Sequence, residues 1–414
     1  MSTCSRSRSR WWFLLATVVA MMSRPAKADP VSNPALLYWQ AFGMMPTLSE
    51  AERQIHDHRR TVPVDDAYAA VAHRYDEAFR LVRKAATLKG TADWGIDLSE
   101  GPEALLPHLA KAKSVASAAQ FRMRYFVAQG QAGEAVRDAV GALALGRHLG
   151  RDSVLISTLV QIAIDAIVSS AVAEHFYGLD AAAAGQLLAG LESIPKPTTI
   201  SECVDKGERS FGRWFRARIE AFRASSGGDE AKVLAEIREL FARNIREEKD
   251  YELADQFIRE AGGTAEAVYQ AALELEAFYD ELTAITKLPR ETYAAAADAF
   301  FARVSSGKNP LVKELLPAMK RAREKEFRAE ARLGLLRAGL RYRQHGEDGW
   351  RSVPDPFGSG PFAFTRFSFQ GKDRGFQLAS GFEGDPREVL IFVEQDGPPF
   401  RVSGTQPGRA VEAP

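Results

Sequence analysis

From Asn33 to about His345, apolar residues recur at three- and four-residue spacing in Ala-rich segments, divided by short Gly, Pro, Asp or Ser breaks. That periodicity predicts amphipathic helices nearly throughout. Asp65-Asp66 is placed to cap a helix running to about Leu88. Pro102 would open the next, through Leu105, Leu109, Val115, Ala119 and Phe126, ending near Gly130. Glu134–Leu149 follows, and then a helix over Ser153–Phe176 capped by Asp152. Asp180 starts a short helix that stops before Pro195. Short turns between amphipathic helices are the pattern of antiparallel helical hairpins. At Gly346 the period changes. Alternating aromatics in Phe362–Phe369 predict a strand, and Gly371–Gly375 a hairpin turn. Phe376–Ser380 and Glu388–Val393 predict two further strands.

The expected fold class is therefore mainly α: irregular antiparallel helical hairpins, as a solenoid or bundle, with a small C-terminal antiparallel β module. The hairpin Phe121–Leu149 has Gly130 at its turn and Ala135, Ala139 and Ala142 on the paired helix. Over these thirty or so residues it weakly resembles a tetratricopeptide unit, with no second copy in register. The expected division is a signal peptide (1–28) and an N-terminal helical domain (29–197). A second helical region ending in a long helix over Leu311–His345 (198–345), a β module (346–402) and a flexible tail (403–414) complete it. Pro317 is a candidate kink in the long helix. Phe362, Phe364, Phe367 and Phe369 do not share one parity, which requires a bulge near Thr365–Arg366 or a sheet packed on both faces.

The first residues set an expectation of export. Arg6, Arg8 and Arg10 precede an apolar run, Trp11–Met22, and Ala26-Lys27-Ala28 forms a small-x-small cleavage signature before Asp29. Twelve residues span roughly 18 Å as helix, short of a bilayer core of about 30 Å. A periplasmic or cell-envelope location follows, with no stable span once the segment is removed. Val154–Val172 is the most apolar later stretch, but Asp165 near its middle makes a buried core helix the better expectation.

Composition narrows the rest. The 414 residues carry 54 basic and 54 acidic side chains, 46% of residues are hydrophobic and 26% charged. Five of the basic groups and no acid lie within residues 1–28, so the remainder is weakly acidic and gives no reason to expect nucleic acid as a partner. Of two cysteines, Cys4 precedes the apolar run, which leaves Cys203 alone between acidic neighbours, Glu202 and Asp205, that disfavour a thiolate.

Phosphate loops, nucleophile elbows, zinc-binding H-E-x-x-H and C-x-x-C pairs are all missing from the sequence. His56-Asp57-His58 is the one close histidine pair, and i,i+2 spacing sets the rings about 200° apart on a helix, so a solvated polar face is expected there. Glu247, Glu248, Asp250, Glu252 and Asp255 lie among Arg243, Arg246, Lys249 and Arg259, as a solvated face would. The mixed charges from Arg321 to Arg332 read the same way. Tyr38, Trp39 and Phe42 are expected to cap the first helices. No catalytic, cofactor-binding or metal-ligating residue is assigned. The expected function is a helical scaffold working by protein–protein contact. The alternatives are an enzyme with distant residues such as His148, Asp165 and His175 brought together, and a small-ligand carrier with an apolar cleft.

Two resemblances bear on this reading. The helix Ala331–Arg343 (ARLGLLRAGLRYR), the turn and strand DPFGSGPFAFTRF and the hairpin GFQLAS resemble the soluble core of type II secretion pseudopilins. The matching positions include Asp355, Pro356, Phe357, Gly358, Pro361, Phe362, Phe364, Gly375, Phe376, Leu378 and Ser380. The likeness spans about residues 328–394, with one extra residue in the turn; the family carries this core behind an N-terminal membrane helix with a processing motif, whereas here it follows a long helical region. It implies a helix-plus-hairpin unit and a calcium loop reduced to Glu383, Asp385 and Glu388. NPALLYWQAF at Asn33–Phe42 and LLPHLAKAKSVAS at Leu105–Ser117 resemble exported helix-rich bacterial proteins of planctomycete type, which implies fold and location and no site.

Overall fold

Asn33 starts the first helix by accepting the amide of Ala35 at 3.0 Å, and Pro34 supplies the preset first turn. The computed structural model describes residues 32–99, 101, 104–242, 248–383, 387–402 and 410–412, and the expected signal segment lies outside them. The chain is mainly helical, with a small three-stranded antiparallel sheet near its C-terminus.

The N-terminal helices are α1 (Pro34–Met44), α2 (Glu50–Asp57), α3 (Asp66–His73), α4 (Asp76–Ala86), α5 (Pro107–Ala128), α6 (Ala132–Leu149), α7 (Leu155–Glu174) and α8 (Ala181–Ser193). Asp65 caps α3 through the Tyr68 amide, and Asp180 caps α8 through the Ala183 amide. The run expected to reach Leu88 is divided, because the Tyr75 amide bonds three residues back and α4 restarts after it. The helix expected from Pro102 begins at Pro107 instead. A proline disfavours helical backbone in the residue before it, and Leu106 is accordingly non-helical (φ −116°, ψ 61°). Leu105 consequently stands 84% exposed.

After residue 198 come α9 (Ile200–Cys203), a π-helical turn (Val204–Glu208), α10 (Arg209–Ser225), α11 (Glu230–Ala242), α12 (Glu248–Ala261), α13 (Ala265–Thr286), α14 (Arg290–Ser306), α15 (Pro310–Leu315) and α16 (Pro317–Arg351). The expected single helix over Leu311–His345 is thus two: Pro317 has no amide to continue α15 and starts α16. Gly346 (φ 61°, ψ −140°) interrupts α16 where the sequence period changes.

The described residues form two large hydrophobic cores and a small cluster on the outer face of the sheet. The first joins α1 and α3–α8 to Leu335, Leu336 and Leu340 of α16 and to Phe376, Leu378, Leu390 and Phe392 of the sheet. The second is built from residues between Ile200 and Ala331, with Phe382. α16 contributes Met319, Ala322 and Phe327 to the second core and its later turns to the first. α7 packs against α5, α6, α16 and the sheet. It is long and apolar enough to cross a membrane by composition, yet half of it is buried within the fold.

The sheet has the order β1 (Ala363–Phe369), β2 (Lys372–Ala379), β3 (Val389–Val393). The hairpin turn is Gln370-Gly371, both at positive φ (52° and 74°), and not the longer Gly371–Gly375 segment. A two-residue turn of that kind matches strand twist, so β2 begins earlier than expected. Phe364, Phe376 and Phe392 face α16, where a Cβ on Gly339 would overlap the Phe392 ring. Phe367 and Phe369 face the other way, onto Ile391 and Phe400, so the sheet is packed on both sides. Beyond it, β4 (Phe400–Val402) pairs with β5 (Ala410–Glu412), and β5 lies in the stretch expected as tail.

Buried ion pairs tie the first core together. Arg122 donates to Asp138 at 2.7 Å and to Asp76, and Arg83 reaches Asp138 from α4. Arg147 donates to both oxygens of Asp165, at 2.8 and 2.7 Å, with both side chains 3% exposed. These explain polar residues at helix faces that the apolar pattern assigns to core.

Candidate functional site

A cleft of about 420 Å3 lies between the C-terminal turn of α7, the strand β3 and the loop Asp396–Phe400. Four guanidiniums line it (Arg60, Arg124, Arg332 and Arg374) against two carboxylates, Glu174 and Asp396. Two of the arginines are neutralised: Arg60 pairs with Glu174 at 2.9 Å, and Arg332 donates to Glu388 at 2.6 Å. The other two are held by carbonyls. Arg124 donates to Val62 O at 2.8 Å and to Arg59 O, and Arg374 to Gln395 O at 3.2 Å and Pro398 O at 3.3 Å. Among the described residues neither has a carboxylate at ion-pair distance. Arg374 is only 6% exposed. A guanidinium carries five donors, so carbonyl anchoring orients these groups without exhausting them.

The strand geometry explains how Arg374 reaches the cleft. Phe367 pairs with Gly375 but Ser368 pairs with Asp373, so Arg374 is the extra residue of a β-bulge. The expected bulge near Thr365–Arg366 is two residues further on, and it lies in β2. Gly375 beside it has φ 146°, and a Cβ there would collide with the carbonyl oxygen of Phe392. Only glycine brings the two strands this close while the bulge turns its neighbour aside.

β3 is an edge strand, and its bonding alternates. The Ser380 amide donates to Glu388 O and the Glu394 amide to Arg374 O, so even-numbered residues of this stretch bond to β2. The backbone groups of Val389, Ile391 and Val393 therefore point away from β2, and all three residues line the cleft. No hydrogen bond to the backbone of these three comes from the cleft side among the described residues. Opposite them, Ser170 and Ala173 of α7 present small side chains.

His175, at the end of α7, is 7% exposed, and its Nδ1 has no hydrogen-bond partner. Burial lowers its pKa to about 4, so the ring is neutral near pH 7. Tyr177 is pushed up to about 12, by burial first and then by the Asp396 carboxylate beside it. The site thus offers two carbonyl-anchored cations, a neutral imidazole and a free strand edge, and no activated nucleophile.

The residues considered for a distributed active site do not converge. Asp165 is paired with Arg147, His148 Nδ1 meets Tyr38 Oη at 3.0 Å, and His175 faces the cleft. Asp165 and His175 are ten residues apart along α7, about 15 Å of helix rise. His56 is half-buried and stacks on Phe121, a correction to the solvated face expected of it, while His58 Nδ1 meets Gln54 O. Cys203 is fully buried beside Thr158 Oγ1, and burial raises its thiol to about 12. Tyr38 and Phe42 are core residues around Trp94.

Of the calcium-loop candidates, Asp385 lies outside the described residues and Glu388 is occupied by Arg332. The charged face after Arg321 is not simply solvated: Arg323 pairs with Glu326, which also accepts the Ile200 amide. In the acidic run, Asp255 pairs with Arg238, and Glu247 lies outside the described residues. Among the described residues no group of three or more His, Cys, Asp or Glu stands close enough to hold a metal ion.

Sequence reasoning missed Arg124 and Arg374. The one available signal was the Asp-Arg-Gly step inside a strand pattern, where glycine marks a bulge. No family model, curated protein or solved structure matches the chain.

Proposed function

We propose that this chain is an exported helical scaffold that works by contact with a protein partner, and that the cleft beside β3 is the contact site. The observation that carries the reading is the pairing of an unbonded strand edge with two arginines that lack a carboxylate, Arg124 and Arg374. Strand edges and guanidiniums are groups that bind chains; neither supplies a nucleophile or a general base. The basic and apolar first residues support export to the periplasm or cell envelope. The pseudopilin-like order of helix, turn and hairpin supports a contact role for the sheet.

The test is site-specific photo-cross-linking of the full-length chain in envelope fractions. A photoactivatable residue at the exposed Gln395 position should capture a discrete partner, and one at Lys89, outside the cleft, should not. Equal capture from both positions, or none from Gln395, removes the reading. A second reading, a carrier for a small molecule, is favoured by the cleft's 420 Å3, which falls within the roughly 300–1,000 Å3 of ligand pockets. Capture of no protein together with a small anion retained through purification is its signature.

A further inference from the structure

We infer that the cleft recognises an extended acidic peptide segment, laid along the free edge of β3 with a carboxylate meeting Arg124 and Arg374. The inference rests on the protein-contact reading and adds the chemistry of the partner.

The edge supplies the first argument. An unpaired strand is a template for another chain, and folds usually blunt it with a bulge, a proline or a covering element. Here the edge of β3 faces a cleft whose other walls are the end of α7 and the Asp396–Phe400 loop. Five residues of β3 offer about 17 Å of edge, matching a segment of about five residues. Val389, Ile391 and Val393 give it main-chain partners on alternate residues, and Ser170 and Ala173 leave the helix side open for a backbone.

Charge supplies the second. A buried cation is stabilised when a carboxylate shares its site, and Arg374 is buried against two carbonyl oxygens and the Phe400 ring with no carboxylate. The nearby acids do not meet this need: Glu174 is bound by Arg60 and Glu388 by Arg332, and Asp396 lies by Tyr177 outside ion-pair distance of both free arginines. A planar carboxylate fits the guanidinium fork, and extended backbone delivers one side chain in two to the same wall. His175 stays neutral and adds no repulsion, with its unpartnered Nδ1 free to accept or donate a further bond.

The experiment is fluorescence anisotropy on the full-length protein with two labelled pentapeptides, Thr-Glu-Val-Glu-Thr and Thr-Gln-Val-Gln-Thr, both capped at their ends. The acidic peptide should bind at least ten-fold more tightly, with the advantage shrinking as salt is raised. Arg374→Gln and Arg124→Gln should each remove most of that advantage while circular dichroism stays that of the parent. If Arg374→Gln unfolds the chain, the more superficial Arg124→Gln still decides the question. Equal binding of the two peptides overturns the inference, as does an advantage that survives in Arg124→Gln. Glutarate competing as well as the unlabelled acidic peptide also overturns it, because a small anion would then suffice without the strand edge. Cross-linking from Gln395 to a partner, combined with equal peptide affinities, would leave the contact reading standing and remove the acidic-peptide chemistry alone.

Discussion

Ser380 donates its hydroxyl to Asp355 Oδ1 over 2.8 Å, tying the end of β2 to the turn that follows α16. The same carboxylate accepts the amides of Phe357 and Gly381, so one buried side chain joins the turn to the end of β2 through three donors. The contacts give the turn a physical reason to be rich in Asp, Gly and Ser. Asp355→Ala strips acceptors from three donors and should cost about 2–4 kcal/mol. Urea unfolding followed by circular dichroism measures it; a midpoint within error of the parent would show that the turn closes without this carboxylate.

Gly375 makes a sharper demand. Its positive φ and the nearby Phe392 carbonyl leave no room for a side chain. Gly375→Ala is expected to destabilise by about 3 kcal/mol or more and to displace Arg374 from the cleft. Gly371→Ala, at a turn position with open space around it, should cost only about 1 kcal/mol. Equal losses in the two variants would contradict the bulge argument.

The pair Arg147–Asp165 gives a test of buried charge. Asp165→Ala leaves a guanidinium without its partner inside the first core, at an expected cost of about 3–5 kcal/mol. Replacing both residues, Arg147→Met with Asp165→Leu, should recover most of it, since no unpaired charge remains. Thermal unfolding of the two variants side by side checks this. A double variant as unstable as the single one would mean the pair positions its neighbours and is more than a neutralised charge.

Glu208 links stability to pH. It accepts the Leu155 amide at the start of α7, and burial raises its pKa from 4.5 to about 7. A carboxyl that holds its proton more tightly when folded favours folding at low pH. Its contribution is therefore complete below about 4.5 and is lost as pH rises to about 7. The loss is about 3–4 kcal/mol at most. Glu208→Gln should match the parent near pH 4.5, exceed it above pH 7 and flatten the slope between. Denaturant midpoints at pH 4.5, 6 and 8 measure this, and parallel curves for parent and variant would show that another group carries the dependence.

The helices were legible because their signals are local: Asp65 and Asp180 cap where their side chains can reach an amide three residues on. Which proline starts a helix was not, since Pro107 and not Pro102 begins α5 and Pro317 begins α16 where a kink was expected. The strands were legible by alternation. The cleft was not, because its members come from six separate stretches of chain and arginine in a sequence carries no mark of burial. Arg124 lies on the same kind of helical face as dozens of solvated charges. His148 and Asp165 look equally chemical in the sequence, and only the fold shows that His148 Nδ1 meets Tyr38 Oη and that Asp165 is paired with Arg147. The bulge at Arg374 displaced the turn by a few residues for a related reason: both segments contain glycine, and the alternation alone does not say which glycine turns the chain.

The first core takes one wall from the last part of the chain, since Leu335, Phe376 and Phe392 pack with residues as early as Ala35. A ribosome releases those two groups far apart in time. While the chain is being made, the N-terminal helices form hairpins but face water along the surface that the sheet will cover. Closure of that core is consequently the final event of folding, reserved until residues near 392 are free to return, and a chain stopped earlier carries an open apolar face that chaperones and proteases recognise.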